Sequence, residues 1–469
     1  MSSQYPTRFV PVQAPPYQDA DVAQGLGGAF AAFLFPLLVR LDQQIDKRLV
    51  RTFLQTIEAI MTFRDRIHGL LLSELGGYIL SAQQCSAGTK RLANLLHSPK
   101  WSAQLIHDFL WQRATVFLKH IEAQGDQTLV LWDESVWEKA ESEKMDDLCP
   151  VRSSKASRLT RVRRGYYRPR GRPIFVAGLN WLGLLVVGAT VSSGPPMLAA
   201  TRWWTNRGPR QDKKRRQEGQ LLLECVAAWG RRVIHVFDQG FAGAPWVSAC
   251  LALKQRFVMR WPKGDYLRDA QGCLRKPWQI ARGKRARSQR LIWDARRHTW
   301  RLVGVLSFPV EHPELPGRPL WLVVSRPGKG GKPWYLLTTE PVTNEEQAWQ
   351  VVFWYSRRWQ LEMSWRFLKS ELGLESPRVR SWEVREKLLM MAVLPYAFLL
   401  SLLTPAHETV RHWLLQSWCH RRGRRAAATL CPLYRLRLAL SRLWSSYRPQ
   451  WTSLGSRLIR AGPTPTQAA

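Results

Sequence analysis

The spacing of apolar positions changes character along the chain. From Phe30 to about Gly125 it is helical: residues 89–96 (TKRLANLL) are followed by the breaker Ser98-Pro99 and a second amphipathic run over 101–121. Two helices across a short turn are either a helix-turn-helix reader of DNA or an ordinary helical hairpin, and the pattern leaves both open. Residues 1–20 show no period and read as a loose leader. Two apolar runs, 25–39 and 388–403, are shorter than the roughly 18 residues of a membrane span. Each contains a proline (Pro36, Pro395), and both are expected as buried helices.

At residue 127 the period shifts to that of strands. Residues 127–132 (QTLVLW) predict a short buried strand ending on Asp133. Residues 172–182 and 184–193 predict a hairpin about Gly183. A helix over 220–229 precedes a strand over 232–237 (RVIHVF), which ends on Asp238. A helix over 243–254 and a strand over 256–261 follow. This order, a three-strand meander and then helix, strand, helix, strand, predicts a mixed α/β sheet with crossover units. Short strands at 289–293, 299–305, 320–324 and 334–338, separated by Pro/Gly turns, read as an all-β insertion. A single long helix is expected over 344–372, with Thr343 and Glu346 as a capping box and Gly373 as its stop. No internal repeat is visible.

Composition narrows the function classes. A chain of 469 residues suggests about three domains, and 45% apolar residues with 24 Trp exclude general disorder. Seventy Lys and Arg against 35 Asp and Glu leave +35, so the partner is a polyanion, nucleic acid or an anionic membrane surface. Arg outnumbers Lys by 53 to 17, which favours nucleic acid, because guanidinium forks onto phosphate and stacks on bases. The seven scattered cysteines form no zinc-spaced cluster, and reduced thiols in a soluble cytosolic protein are expected. Three segments carry the basic excess. They are 151–172, with nine cations and no acid, the run Lys213-Lys214-Arg215-Arg216, and the tail 401–469, with 11 Arg and the one acid Glu408.

The acids suggest chemistry. Asp133 and Asp238 are expected at the ends of two buried strands, where α/β sheets gather ligands. One such Asp is ordinarily a turn or cap residue, but two in so basic a chain point to a shared cation site. On the expected helix, Tyr355, Arg358, Glu362 and Lys369 stand at offsets 0, 3, 7 and 14. At about 100° per residue they form one stripe, which Arg366 joins. A solvated face with i,i+4 ion pairs is the plain alternative.

Tyr355-x2-Arg358-x3-Glu362-x6-Lys369 resembles the signature of DDE transposases from bacterial insertion sequences, cut-and-paste enzymes with an RNase H-like core. Residues 334–342 (WYLLTTEPV) resemble that family's strand leading into the signature helix. The resemblance runs from about 127 to 403. It implies that Asp133, Asp238 and Glu362 bind two Mg²⁺ ions, with Mn²⁺ as a substitute. It also implies that Tyr355, Arg358 and Lys369 grip DNA phosphates, with Arg366 expected beside them, and that Trp334 stacks on a flipped base near a hairpin intermediate. Gln239 departs from the pattern, since relatives commonly carry Arg there.

The implied fold class is an RNase H-like mixed sheet interrupted by an all-β insertion, with a helical N-terminal domain and an Arg-rich helical tail. The expected layout is a helical DNA-end-binding domain over 1–125, catalytic core over 126–262 and 343–403, the β insertion over 263–342, and a basic C-terminal region over 404–469. The implied partners are double-stranded DNA, both inverted-repeat ends and target, and a second copy in a synaptic homodimer in the bacterial cytoplasm, at the nucleoid. A host nuclease of the same fold is the runner-up. A domesticated, non-catalytic DNA-binding derivative is a third reading, against which the intact acids argue.

Overall fold

The computed structural model describes residues 18–141, 144–153, 166–167, 173–294, 299–328, 331–420, 423, 429 and 431–450. Most of the basic segment 151–172, the first 17 residues and the last 19 lie outside them. In chain order the elements are α1 (Asp19–Asp42), α2 (Lys47–Thr62), α3 (Leu72–Ile79), α4 (Cys85–His97) and α5 (Gln104–Ala123). Strands β1 (Thr128–Glu138), β2 (Cys149–Arg152), β3 (Tyr166–Tyr167), β4 (Phe175–Gly188) and β5 (Met197–Trp204) follow. Next come α6 (Lys214–Trp229), β6 (Val233–Phe237), α7 (Ala244–Ala252), β7 (Arg256–Arg260), β8 (Leu267–Arg268), β9 (Leu274–Arg275) and α8 (Pro277–Ala281). After these come β10 (Ser288–Asp294), β11 (Thr299–Val310), β12 (Leu320–Pro327), β13 (Trp334–Thr338), α9 (Glu345–Ser356), α10 (Trp359–Ser370), α11 (Trp382–Ser401), α12 (Glu408–Ser417) and α13 (Leu433–Ser446).

The described residues fall into two compact units, one within 18–65, 72–101 and 391–450, the other within 66–71 and 102–390. The first is helical. Phe30 of α1 packs edge-on against Phe398, with ring centroids 4.8 Å apart, and also against Trp444 of α13. The buried Arg437 guanidinium donates to the carbonyls of Ile60 and Phe63 at 2.7 and 2.8 Å, satisfying the C-terminal carbonyls of α2 where a cation is favoured. The 24-residue α1 is longer than its apolar run. By length and composition it could cross a membrane, yet its apolar residues Phe30, Leu34, Leu37 and Leu41 are buried in this unit. The residues expected as a separate C-terminal domain thus pack, through α12 and α13, with the N-terminal helices.

The second unit is a mixed α/β structure around one large sheet. Strand order is β10-β11-β12-β13-β7-β6-β1-β4-β2, with β5 and β3 also pairing β4. Strands β1, β6 and β7 run parallel, and every other pairing in this sheet is antiparallel. Alternate side chains feed two buried faces. Val130, Trp132, Leu182, Leu184 and Val186 face a core shared with α5, α6 and α7. On the opposite face Trp181 of β4 meets Trp365 of α10.

Several expectations change. Helix α5 belongs to this unit and not to a 1–125 domain, because Ala114, Leu118 and Ile121 lie in the sheet's core. The expected helix pair is therefore split between the units. Strand β1 does not end at Asp133 but runs on to Glu138, since β4 pairs with it throughout, Asp133 opposite Gly183. Gly183 is no turn: β4 passes through it unbroken, and the return strand is β5. The four strands expected as an insertion form, but they extend the main sheet, because β13 pairs with the edge of β7 that β6 leaves open. The long helix 344–372 is two, α9 and α10, separated by i→i+3 hydrogen bonds from Arg357 to Trp354 and from Arg358 to Tyr355. Its cap shifts by one residue: Asn344 accepts from the Gln347 backbone, while Gln347 Oε1 accepts from Thr343 N–H. Gly373 does follow the helix end, with φ of 62°. All seven cysteines are free.

Candidate active site

Register brings the first two acids level. Strands β1 and β6 pair in parallel up to Leu131↔Val236, and the same offset two residues on sets Asp133 beside Asp238. Asp133 sits inside a strand, whereas Asp238 follows the end of β6 and opens a short 3-10 turn over Gln239–Phe241. Glu362 comes from the first turn of α10, where the helix dipole favours an acid.

All three carboxylates approach one cation. Arg358, in the break between α9 and α10, lies 3.5 Å from Asp133, 3.9 Å from Asp238 and 3.8 Å from Glu362. Burial, together with the carboxylates of Asp238 and Glu362 and despite Arg358, pushes the Asp133 carboxyl up to about 7. Burial alone would lower the Arg358 guanidinium, but Asp238, Tyr355 and Asp133 outweigh it and hold it above its usual value. The Tyr355 hydroxyl donates to Asp238 at 3.3 Å. Burial foremost, and then Asp238, raise the phenol above its normal range.

The remaining expected residues divide. Trp334, at the start of β13, packs edge-on against Tyr355 with ring centroids 5.1 Å apart. Arg366 lies 3.7 Å from Glu362 and stacks over Trp359. Lys369 is drawn away from the acids: its ammonium donates to the Val136 carbonyl and lies 3.7 Å from Glu375. In the run Lys213-Lys214-Arg215-Arg216, Lys214 bonds Glu134, Arg215 bonds the fully buried Glu218, and Arg216 lies near Asp212. Those three cations neutralise local acids.

Three residues escaped sequence reasoning. Trp365 donates its indole N–H to Asp133 at 3.1 Å. Its position three residues after Glu362, on the same helix face, was the available signal. Gly183 leaves the space that the Trp365 ring fills, as a methyl group there would overlap the ring. Arg260, at the end of β7, is near enough to Tyr355 to favour its phenolate against the effect of burial; a cation closing the strand after the Asp238 strand could have flagged it.

Three carboxylates are the donor set that a hard divalent cation prefers, and a guanidinium stands among them as a surrogate cation. The residues present therefore fit a divalent metal. Among the described residues, however, no three His, Cys, Asp or Glu side chains are already arranged to hold an ion. The acids converge on Arg358.

Fold and site together define a mixed-sheet protein with an acid cluster where β1, the end of β6 and the first turn of α10 meet, bordered by arginine, tyrosine and tryptophan side chains. Residues 206–398 match the family described as "Transposase DDE domain", which supports a transposase of the DDE class. The matched segment contains Asp238, Glu362 and the whole Tyr-Arg-Glu-Lys constellation, while Asp133 lies before it. No curated protein matches the chain. Among solved structures, the chain is similar to piggyBac transposase in a synaptic complex with hairpin DNA. Identity is 11% and the TM-score 0.39, over 98% of this chain and 88% of that one, too slight a likeness to carry an argument.

Proposed function

We propose that this protein is a bacterial insertion-sequence transposase with an RNase H-like core, which excises its element and joins it to target DNA. The observation that carries the reading is the convergence of Asp133, Asp238 and Glu362, from three separate elements, on Arg358. Asp133, Asp238 and Glu362 would hold two Mg²⁺ ions, or Mn²⁺. When bound, such a pair supplies activation of the attacking hydroxyl or water and stabilisation of the leaving oxygen.

The chain's own residues do the rest. Arg358 and Tyr355, already oriented at the acids, turn to phosphate oxygens beside the scissile bond. Arg366 extends that grip along the backbone, and Lys369 joins it on leaving the Val136 carbonyl and Glu375 that hold its ammonium in the free protein. Trp334 offers a ring face on which a flipped base stacks. Burial of Asp133 under Trp365 keeps bulk water from one side of the cluster. The working form is a synaptic homodimer on inverted-repeat ends, acting at the nucleoid in the bacterial cytoplasm. The helical unit is a candidate for end recognition.

The test is cleavage of labelled inverted-repeat DNA by the wild type and by Asp133→Asn, Asp238→Asn and Glu362→Gln. Retained DNA binding with lost cleavage in all three supports the triad, and full cleavage by any one sinks it. Cleavage by the wild type without any joining to target DNA would favour the host nuclease instead.

A further inference from the structure

The hairpin at the far edge of the main sheet has two unlike faces. Strands β10 and β11 pair with Leu291 opposite Leu302 and Trp293 opposite Trp300, so Leu291, Trp300 and Leu302 share one face. The other face is committed to the fold: the Trp349 indole of α9 donates to Ser288 Oγ at 2.9 Å, and Arg290 bonds Glu346 and stacks over Trp349. On the outer face Leu291 is 63% exposed, Trp300 55% and Leu302 51%. One exposed leucine needs no explanation, but three large apolar side chains together mark a contact surface.

Charge identifies the occupant. No acid occurs between Asp269 and Asp294. The segment leading into β10 exposes Arg282, Lys284, Arg285 and Arg287, none of which pairs with an acid among the described residues. Two copies of such a face would repel, whereas a polyanion complements it. A two-stranded ribbon also has the dimensions of the B-DNA major groove, about 12 Å wide.

We propose that the outer face of the β10–β11 hairpin is a second DNA-contacting surface, a ribbon that enters the major groove of duplex DNA. Arg282, Lys284, Arg285 and Arg287 clamp the flanking phosphates. Leu291, Trp300 and Leu302 lie against thymine methyls and sugars in the groove. The inference rests on the reading of this protein as one that acts on DNA, and it adds a surface outside the acid cluster.

The experiment measures anisotropy of a fluorescein-labelled duplex across a salt series. It compares the wild type with the quadruple variant R282A/K284A/R285A/R287A, the charge-retaining R282K/R285K/R287K, and L291S/W300A/L302S. Thermal unfolding identifies any variant that fails to fold. The quadruple variant is expected to bind about tenfold more weakly or worse, its log–log salt slope falling by about 0.9 for each phosphate it no longer neutralises. The lysine variant should restore that slope. The apolar variant should weaken binding with the slope unchanged.

If the wild type binds duplex while the quadruple variant keeps both affinity and slope, the surface proposal is overturned and the functional reading stands. If the wild type shows no salt-dependent duplex binding, that reading falls with it. If the apolar variant keeps its DNA affinity and instead loses mass by light scattering, or loses binding to phosphatidylserine vesicles, the face belongs to a second copy or a membrane, and the proposal is overturned.

Discussion

The indole N–H of Trp365 donates to Asp133 at 3.1 Å, and the same ring fills the space that a side chain at position 183 would take. One tryptophan thus orients a candidate metal ligand and covers its strand, and its own placement depends on a glycine in the facing strand. Gly183→Ala should displace Trp365 and destabilise the protein by about 1–3 kcal/mol, the usual cost of overpacking. Trp365→Phe keeps most of the packing and removes only the donor. It should retain the wild-type melting temperature within a few degrees and lose cleavage rate. Unchanged cleavage in Trp365→Phe would show that the hydrogen bond is incidental.

Arg358 is the cation shared by three acids. Arg358→Gln should lower stability by on the order of 2 kcal/mol, because Asp133, Asp238 and Glu362 then lose the guanidinium that they share. Added Mg²⁺ or Mn²⁺ should raise the melting temperature of the variant more than that of the wild type, since the ion no longer competes with a guanidinium. Differential scanning calorimetry with and without metal reads both effects. An equal metal-induced shift in the two proteins argues against a shared position.

His235 is fully buried on β6. Trp132 donates to its Nδ1 at 2.9 Å, and burial pushes the imidazole down to about 4. The unfolded chain titrates near 6.5, so between about pH 6.5 and 4 it takes up a proton that the folded chain refuses. The stability from this group is complete above about 6.5 and falls by about 1.4 kcal/mol per pH unit as pH drops toward 4. Urea unfolding at several pH values should show a shallower acid dependence for His235→Phe than for the wild type. Parallel curves would contradict the assignment.

Lys214 bonds Glu134 and lies 3.7 Å from the buried Glu218. Lys214→Met should therefore cost about 1–2 kcal/mol of stability while leaving the salt dependence of DNA binding unchanged. A lower salt slope in this variant would return Lys214 to the DNA contacts.

Trp334 meets Tyr355 at the border of the acid cluster. Trp334→Ala should leave the fold and metal response intact and weaken capture of an unstacked base by about 1–3 kcal/mol. A 2-aminopurine placed at successive positions near the scissile bond would report that loss as a smaller fluorescence change. An identical change in both proteins removes Trp334 from this role.

Much of the candidate site was legible in the sequence because its parts follow local rules. Asp133 and Asp238 close apolar runs whose length and branching demand strands. The signature residues keep fixed spacing over a short stretch of chain. The arithmetic of one continuous helix nevertheless misplaced Lys369, because the backbone tightens at Arg357 and Arg358, and a break of that kind leaves no Pro or Gly to read. Gly183 misled for the opposite reason: a glycine inside an apolar run looks like a turn, yet here it admits a ring from a helix far along the chain. Local patterning also made the strands between 288 and 338 visible while hiding the sheet they join.

By itself the sequence determined what each segment can bury, where the acids and the residues from Tyr355 to Lys369 stand along the chain, and how large the basic excess is, since these depend on side-chain chemistry and near-neighbour spacing. Only the tertiary structure decided that α5 joins the sheet, that helices α1–α4 and α12–α13 build one helical unit, and that three acids meet at Arg358 under the cover of Trp365. Those outcomes depend on backbone pairing and close packing between distant segments, and no local pattern encodes them.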